Sequence, residues 1–189
     1  NGLSSNNILS MFQDSRGVIW LGTDGGGVMT YKNDTLTHFT TKQNFFSNTV
    51  YSIAEDKHGD IWLGTGGEGL VRYDGKKFTR YAEESGLNNN HVLSMIIGKY
   101  GNIWAGTRFG LNFIHYQDIS EAKDSLRPLH IASYNFEDGF IGIGCNLDAI
   151  GGQSDGTMWI GTTDRLTAYH GKKDKQKSVE PNLQITGLQ

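Results

Sequence analysis

Four tryptophans recur along the chain with the same neighbours, and this periodicity constrains the fold more than any other feature. Each tryptophan follows a glycine by three residues and precedes a Gly-Thr pair by two. The first three are 42 residues apart and the fourth follows after 55, so the third repeat carries 13 additional residues. A period of about 40–45 residues without a helical apolar rhythm is typical of one four-stranded propeller blade. The tryptophans are Trp20, Trp62, Trp104 and Trp159.

Each repeat divides into four predicted strands, a to d, with the tryptophan on strand b. Strand a is a short apolar run, which indicates burial on both faces; it covers 8–12, 50–54, 92–97 and 147–150. Strand c covers 28–31, 70–73, 111–116 and 166–169. Strand d alternates apolar and polar residues, as an outer strand with one wet face does; it covers 36–39, 78–81 and 131–134. The fourth repeat shows no convincing strand d after Tyr169.

The sequence therefore predicts an all-β fold, a partial β-propeller of about four four-stranded blades with the last one incomplete, as a fragment of a larger propeller. The predicted boundaries are 1–43 for blade 1, 44–85 for blade 2, 86–138 for blade 3 with an insertion at 117–130, and 139–175 for blade 4. Residues 176–189 are predicted to form a linker and the first strand of a following β domain, because PNLQITGLQ reads as a new strand.

Composition excludes several classes of function. The net charge is −3 and the basic residues do not cluster, so no nucleic-acid partner is expected. No apolar stretch is long enough to span a bilayer, so we expect no direct membrane contact by this segment. The single Cys145 rules out an intramolecular disulfide and a cysteine zinc cluster, and the six histidines lack ligand spacing. We therefore predict no metal site and no cofactor.

The conspicuous repeated residues have structural explanations. We predict that the four tryptophans pack between blades, and that Asp14 and Asp56 cap their hairpin turns by side-chain hydrogen bonds to the backbone. The Gly-Thr pairs are not followed by the lysine of a phosphate-binding loop. They recur at a strand end, which favours a role in the fold.

Candidate ligand-binding residues lie on one face of the predicted propeller. The loops that enter strand a and the turns between strands b and c emerge on this face, which we call the loop face, and such loops commonly bind ligands. Its amides, charges and aromatic rings favour a polar, uncharged or weakly acidic ligand such as a saccharide. Asn48 and Asn90 share a register with Asn6, which favours a turn-forming role for them. The predicted ligand-binding residues are Phe46, Asn48, Asn90, His91, Arg108, Phe109, Asn146 and Arg165.

The best-formed repeat, residues 48–74, resembles the two-component regulator propeller repeat, and the resemblance extends over residues 2 to about 170. EDGF at 137–140 and the SDGTMWIGT stretch are similar to the terminal blade of these sensors, which is followed by a Y_Y_Y β-sandwich. The aspartate of repeats one and two, Asp14 and Asp56, is replaced by Gly98 in repeat three and by Gln153 in repeat four. The resemblance implies the periplasmic sensor region of a bacterial inner-membrane histidine kinase, often a hybrid.

We therefore expect a non-catalytic sensor module of a two-component protein, which binds a small molecule or oligosaccharide and relays to a histidine kinase. A propeller lyase or hydrolase and a purely structural docking propeller remain alternatives. Against catalysis, the residues predicted to line the central tunnel are small and uncharged: Ser10, Ser52, Ser94 and Ala149. Self-association is expected too, since two sets of four blades can close an eight-bladed ring as a dimer.

Overall fold

The computed structural model describes residues 2–124, 129–138, 140 and 142–170. Its strands form separate antiparallel sheets, and neighbouring strands in each sheet are consecutive in the chain. Three sheets have four strands, and the fourth has three within the described residues. The predicted all-β, propeller-type fold is confirmed. The segment predicted to begin a β-sandwich, 176–189, lies outside the described residues.

The four sheets follow the four repeats. Sheet 1 consists of β1 (Ile8–Gln13), β2 (Ile19–Thr23), β3 (Val28–Lys32) and β4 (Thr35–Phe39). Sheet 2 consists of β5 (Val50–Glu55), β6 (Ile61–Thr65), β7 (Leu70–Tyr73) and β8 (Phe78–Tyr81). Sheet 3 consists of β9 (Val92–Ile97), β10 (Ile103–Thr107), β11 (Gly110–Ile114) and β12 (Ala132–Tyr134). Sheet 4 consists of β13 (Cys145–Gly152), β14 (Thr157–Thr162) and β15 (Leu166–His170).

The tryptophans lie on the second strand of every sheet, as the repeat register predicts. Trp20 contacts Tyr73 of sheet 2 with ring centroids 5.7 Å apart, and Trp104 contacts Tyr169 of sheet 4 at 4.7 Å. Each of these rings thus packs across the junction to the next sheet. Trp62 is likewise fully buried, whereas Trp159 of sheet 4 is only partly buried.

The glycine of each Gly-Thr pair permits close packing between neighbouring sheets. A Cβ atom on Gly64 would lie 2.3 Å from the Ser52 hydroxyl and 2.9 Å from Cγ1 of Val92 in sheet 3. The paired threonine holds the following turn, because Thr65 Oγ1 donates to the Gly69 carbonyl at 2.8 Å. Both residues of the pair therefore serve the fold.

The prediction that inner-strand residues line the tunnel is wrong for Ser52 and Ser94. Ser52 and Ser94 are 3% and 0% exposed and pack against the glycines of the second strands. The Ser10 hydroxyl likewise reaches the Val50 carbonyl of sheet 2, at 3.4 Å. A register shift near the start of each inner strand changes which side chains face outward.

A helix follows strand β11, so that strand ends at Ile114 rather than at residue 116. Helix α1 (Tyr116–Asp124) begins where the Tyr116 amide donates to Oδ1 of Asn102, at 2.9 Å. His58 stacks on Tyr116 with centroids 5.4 Å apart, and its Nε2 lies 2.9 Å from Ser120 Oγ. These partners belong to turns between first and second strands, which places α1 opposite the loop face. None of the helices in the described ranges is long and apolar enough to cross a membrane.

Candidate functional site

A cleft of about 670 Å³ opens on the loop face between sheets 2, 3 and 4. The cleft is open to solvent and is not an enclosed cavity. The cleft receives side chains from three inner strands and from the loops beside them. The lining residues are Tyr51, Leu93, Arg108, Phe109, Ile143, Gly144, Cys145, Asn146, Leu147 and Thr163.

Two of these lining residues, Tyr51 and Leu93, lie at bulges in the inner strands. In sheet 2, Val50 pairs with Thr65 and Ser52 pairs with Gly64, so Tyr51 has no partner on the second strand. In sheet 3, Val92 pairs with Thr107 and Ser94 with Gly106, which leaves Leu93 in the equivalent place. An extra residue in one strand re-aims its side chain, and such bulges are common beside binding sites.

The inner strand of sheet 4 departs further from regular pairing. Cys145 pairs with Thr162, but the next pair is Ile150 with Ile160, so residues 146–149 stand opposite a single residue of β14. Asn146 anchors this segment by donating from Nδ2 to the Thr162 carbonyl at 2.9 Å. Leu147 is 56% exposed in the cleft. The bulged segment contributes Asn146 and Leu147 to the lining of the cleft.

An aspartate fixes the loop that enters sheet 4. The Ile143 amide donates to Oδ1 of Asp164 at 3.0 Å, and Arg165 Nε donates to the other carboxylate oxygen at 2.7 Å. These two hydrogen bonds, in that order of importance, lower the pKa of Asp164 to about 2. The carboxylate is therefore ionised at neutral pH and holds Ile143 in the wall of the cleft.

Large apolar side chains stand exposed around the opening. Phe109 is 68% exposed and Ile143 is 69% exposed, and both line the cleft with Leu147. Single exposed apolar side chains are ordinary, but several of them around one concave opening are typical of a binding surface.

The cleft carries little acid–base chemistry. Among the described lining residues, the ionisable side chains are Tyr51, Arg108 and Cys145. Burial raises the pKa of the Cys145 thiol to about 12, so the thiol stays protonated at neutral pH. The described residues contain no cluster of side chains that could hold a metal ion. Among these described lining residues, no nucleophile is paired with a base.

His91 lies just outside the lining, at the start of the inner strand of sheet 3. Its backbone bridges to Gly66 of sheet 2, and its ring lies near Gly67. Burial, then the positive charge of Arg108, lower the pKa of His91, although Glu83 opposes them. The imidazole is therefore electrostatically coupled to the cleft.

The structure places the eight predicted ligand-binding residues in different surroundings. Arg108, Phe109 and Asn146 line the cleft. Oδ1 of Asn90 accepts the Glu83 amide at 2.8 Å, and Oδ1 of Asn48 accepts the Thr41 hydroxyl at 3.3 Å. These two asparagines thus hold the loops before the inner strands. Two further predicted residues stand outside the lining: Phe46, which is 39% exposed, and Arg165.

Several lining residues escaped the sequence analysis, namely Tyr51, Leu93, Ile143, Leu147 and Thr163. Tyr51 and Leu93 occupy the same repeat position, directly before the inner-strand serine. The change from leucine to tyrosine at this position is a signal that could have found Tyr51. Ile143 lies in the altered segment before the inner strand of repeat four, which has no clear register with the other repeats. Thr163 holds the same repeat position as Arg108, directly after the Gly-Thr pair.

Comparison with known proteins supports the repeat assignment. Residues 2–25, 44–67 and 86–109 match the family model described as two component regulator propeller. The comparison with curated proteins found no match. Each matched segment runs from the loop before an inner strand to the turn after the tryptophan strand.

Two solved structures with a similar fold are extracellular domains of two-component systems. The chain is 28% identical to the extracellular domain of a hybrid two-component system from B. thetaiotaomicron, with a TM-score of 0.77, covering 92% of this chain and 23% of that one. A second such domain from this organism is 20% identical, with a TM-score of 0.71 and coverage of 94% and 24%. The chain thus spans about a quarter of the length of these structures.

An enzyme shares the fold at lower similarity. The inactive H270A variant of virginiamycin B lyase from Staphylococcus aureus is 15% identical, with a TM-score of 0.65, covering 96% of this chain and 59% of that one. This likeness shows the fold alone. Together, the matched segments and the stacked sheets show that residues 2–109 of this chain carry two-component regulator propeller repeats, on a fold shared with extracellular domains of two-component systems.

Proposed function

We propose that this chain is a ligand-binding part of the extracytoplasmic sensor of a two-component signalling protein, and that its ligand occupies the cleft. The observation that carries the proposal is the convergence of three bulged inner strands on one opening with exposed apolar walls. The 28% identity to an extracellular domain of a hybrid two-component system supports the signalling context. An oligosaccharide fits an opening with aromatic, amide and hydroxyl groups.

A ligand in this cleft contacts sheets 2, 3 and 4 together, through Tyr51, Phe109 and Leu147. Binding therefore favours one relative packing of the sheets over others. A signal to a histidine kinase requires this difference, because a ligand shifts an equilibrium only by its differential affinity for the two states. The kinase then reads the packing of the propeller against the domains that follow it.

Binding fits the cleft better than catalysis. Hydrolysis or elimination needs an acid and a base near the reacting bond. The described lining residues include no carboxylate and no imidazole, and the thiol of Cys145 stays protonated. We therefore propose a non-enzymatic role for the module itself.

The test uses the whole signalling protein in cells with a transcriptional reporter under its control. Oligosaccharides from a broad panel are supplied, and the inducing compounds are retested with Phe109→Ala and Leu147→Ala variants. We expect the dose for half-maximal induction to rise about tenfold or more, since each change removes apolar contact with the ligand. Phe136→Ala is the matched control, because Phe136 is 76% exposed and lies outside the lining.

Induction that is equal in all of these variants would show that the ligand binds elsewhere. If no small molecule induces the reporter but a purified protein partner does, the docking alternative replaces the small-molecule sensor.

A further inference from the structure

We propose that the cleft selects an acidic saccharide, a sugar that carries a carboxylate or a sulfate ester, and that Arg108 binds the anionic group. This inference rests on the proposed ligand-binding function and adds the charge of the ligand. It starts from the ion pairing of the arginines, because Arg108 has no ion-pair partner among the described residues and the other described arginines do.

Arg108 is an exposed cation without an ion-pair partner in the described part of the chain. The other four described arginines each form an ion pair with a carboxylate. The pairs are Arg16–Asp14, Arg72–Asp60, Arg80–Glu68 and Arg165–Asp164. Arg108 lies in the turn between β10 and β11 and is an exposed residue of the cleft lining. Its positive charge is therefore available to a ligand.

Nothing in the described lining neutralises this charge. No lining residue is acidic, and Asp164, next to Thr163 of the lining, already holds Arg165 and the Ile143 amide. A concave site with one sign of charge attracts ligands of the other sign. The cleft thus has a positive character although the whole chain carries a net charge of −3.

The neighbours of Arg108 favour an organic anion over a simple ion. A guanidinium group binds a carboxylate or sulfate through two parallel hydrogen bonds. Phe109 is the next residue and is 68% exposed, so its ring can cover the apolar face of a sugar whose acidic group reaches Arg108. Asn146 and Thr163 add polar groups to the same lining, where sugar hydroxyls can meet them. One acidic sugar ring satisfies all three kinds of contact.

His91 supplies an independent readout of an anion at this position. The charge of Arg108 helps burial to lower the pKa of His91, and Glu83 is the charged group that acts in the opposite sense. An anion bound to Arg108 offsets its charge, so the pKa of His91 is expected to rise on binding. A neutral ligand at the same place leaves this electrostatic contribution unchanged.

The experiment measures binding to the full chain by calorimetry and the His91 titration by NMR. The probes are digalacturonic acid, the neutral disaccharide galactobiose, galactose 6-sulfate and inorganic sulfate. The variants are Arg108→Gln and, as a matched control, Arg80→Gln, because Arg80 is a partly exposed arginine outside the lining.

We expect an acidic sugar to bind at least about tenfold more tightly than galactobiose and than inorganic sulfate. Arg108→Gln should abolish this preference and the accompanying rise in the His91 pKa, whereas Arg80→Gln should keep both. Digalacturonic acid and galactose 6-sulfate distinguish a carboxylate site from a sulfate site.

Three results would overturn the inference. If galactobiose binds as tightly as the acidic sugars, or if Arg108→Gln leaves their affinity unchanged, the cleft does not select charge, and the proposed sensor function stands. If none of the probes binds at millimolar concentration, the acidic-sugar assignment fails, and the reporter experiment decides the sensor function separately.

Discussion

The indole Nε1 of Trp62 donates a hydrogen bond to Oδ2 of Asp56 at 2.9 Å. The other carboxylate oxygen accepts the backbone amides of His58 and Asp60, at 2.8 and 3.1 Å. One buried side chain thus joins the turn before β6 to the tryptophan that packs between sheets. Asp14 and Trp20 repeat this arrangement in sheet 1, with a distance of 3.0 Å.

Replacement of Asp56 by alanine should destabilise the protein substantially. The change leaves the Trp62 indole and two backbone amides without their acceptor, and an unsatisfied buried polar group costs about 1–3 kcal/mol. We expect the free energy of unfolding in urea to fall by at least that amount. Asp34→Asn, at an exposed turn position, serves as the control. Equal stability of Asp56→Ala and wild type would show that water replaces the carboxylate.

Ionisation of Asp14 makes part of the free energy of unfolding depend on pH in the acidic range. Burial works to raise the pKa of this carboxyl, but hydrogen bonds from Trp20, Val18 and Arg16 outweigh it. The folded-state pKa therefore lies below the ordinary value of 3.8. Because the pKa is lowered on folding, the ionised group stabilises the fold above that value, and the contribution is lost as the pH falls through the folded-state pKa.

The matching experiment compares wild type with Asp14→Asn, which titrates in neither state. We expect the variant to be less stable at neutral pH and to lose less of its unfolding free energy between about pH 6 and about pH 3. Chemical denaturation at several pH values measures both quantities. Parallel pH profiles for the two proteins would contradict the role of Asp14.

Ser52 and Gly64 test the packing between sheets 2 and 3. The Ser52 hydroxyl is buried and has no hydrogen-bond partner among the described residues. Ser52→Ala should therefore preserve or raise stability, because it removes an unsatisfied polar group. Gly64→Ala should lower stability by about 1–3 kcal/mol through overpacking against Val92. Thermal unfolding that shows the reverse order would refute this account of the interface.

The spacing of the tryptophans predicted the sheets well because every repeat needs the same residues at the same positions to pack against its neighbour. Each Trp, Gly and Thr of the motif has a local structural task, so the same letters return with the same geometry. The Trp–Asp hydrogen bond was not predicted, since Asp14 and Asp56 already had a sufficient role as turn caps. Nothing in a one-dimensional pattern distinguishes the two carboxylate oxygens.

The cleft could be predicted only in part, because bulges break the alternation on which strand reasoning depends. A regular inner strand places Ser52 and Tyr51 on opposite faces without saying which face is open. The unpaired position of Tyr51 exists only in the register with β6. Arg108 and Phe109 were accessible to sequence reasoning because they differ from the glycine-rich turns of the first two repeats.

The partial burial of Trp159 leads to a prediction about assembly. The three earlier tryptophans are at most 3% exposed, each at a junction with the next sheet, whereas Trp159 has no sheet over it among the described residues. We expect copies of this chain to associate through such faces, most simply as a two-fold dimer. Sedimentation equilibrium tests this. A single species of 20.9 kDa at micromolar concentration would exclude it.

The most direct test of the central claim is a thermal-shift measurement of the whole sensor ectodomain against an oligosaccharide panel. A ligand that binds only the folded protein must raise the melting temperature. We predict at least one saccharide that raises it in wild type and in Phe136→Ala, with the shift lost in the Phe109→Ala, Leu147→Ala double variant. An absence of any shift across the panel, or a shift that survives in the double variant, would contradict ligand binding in the cleft.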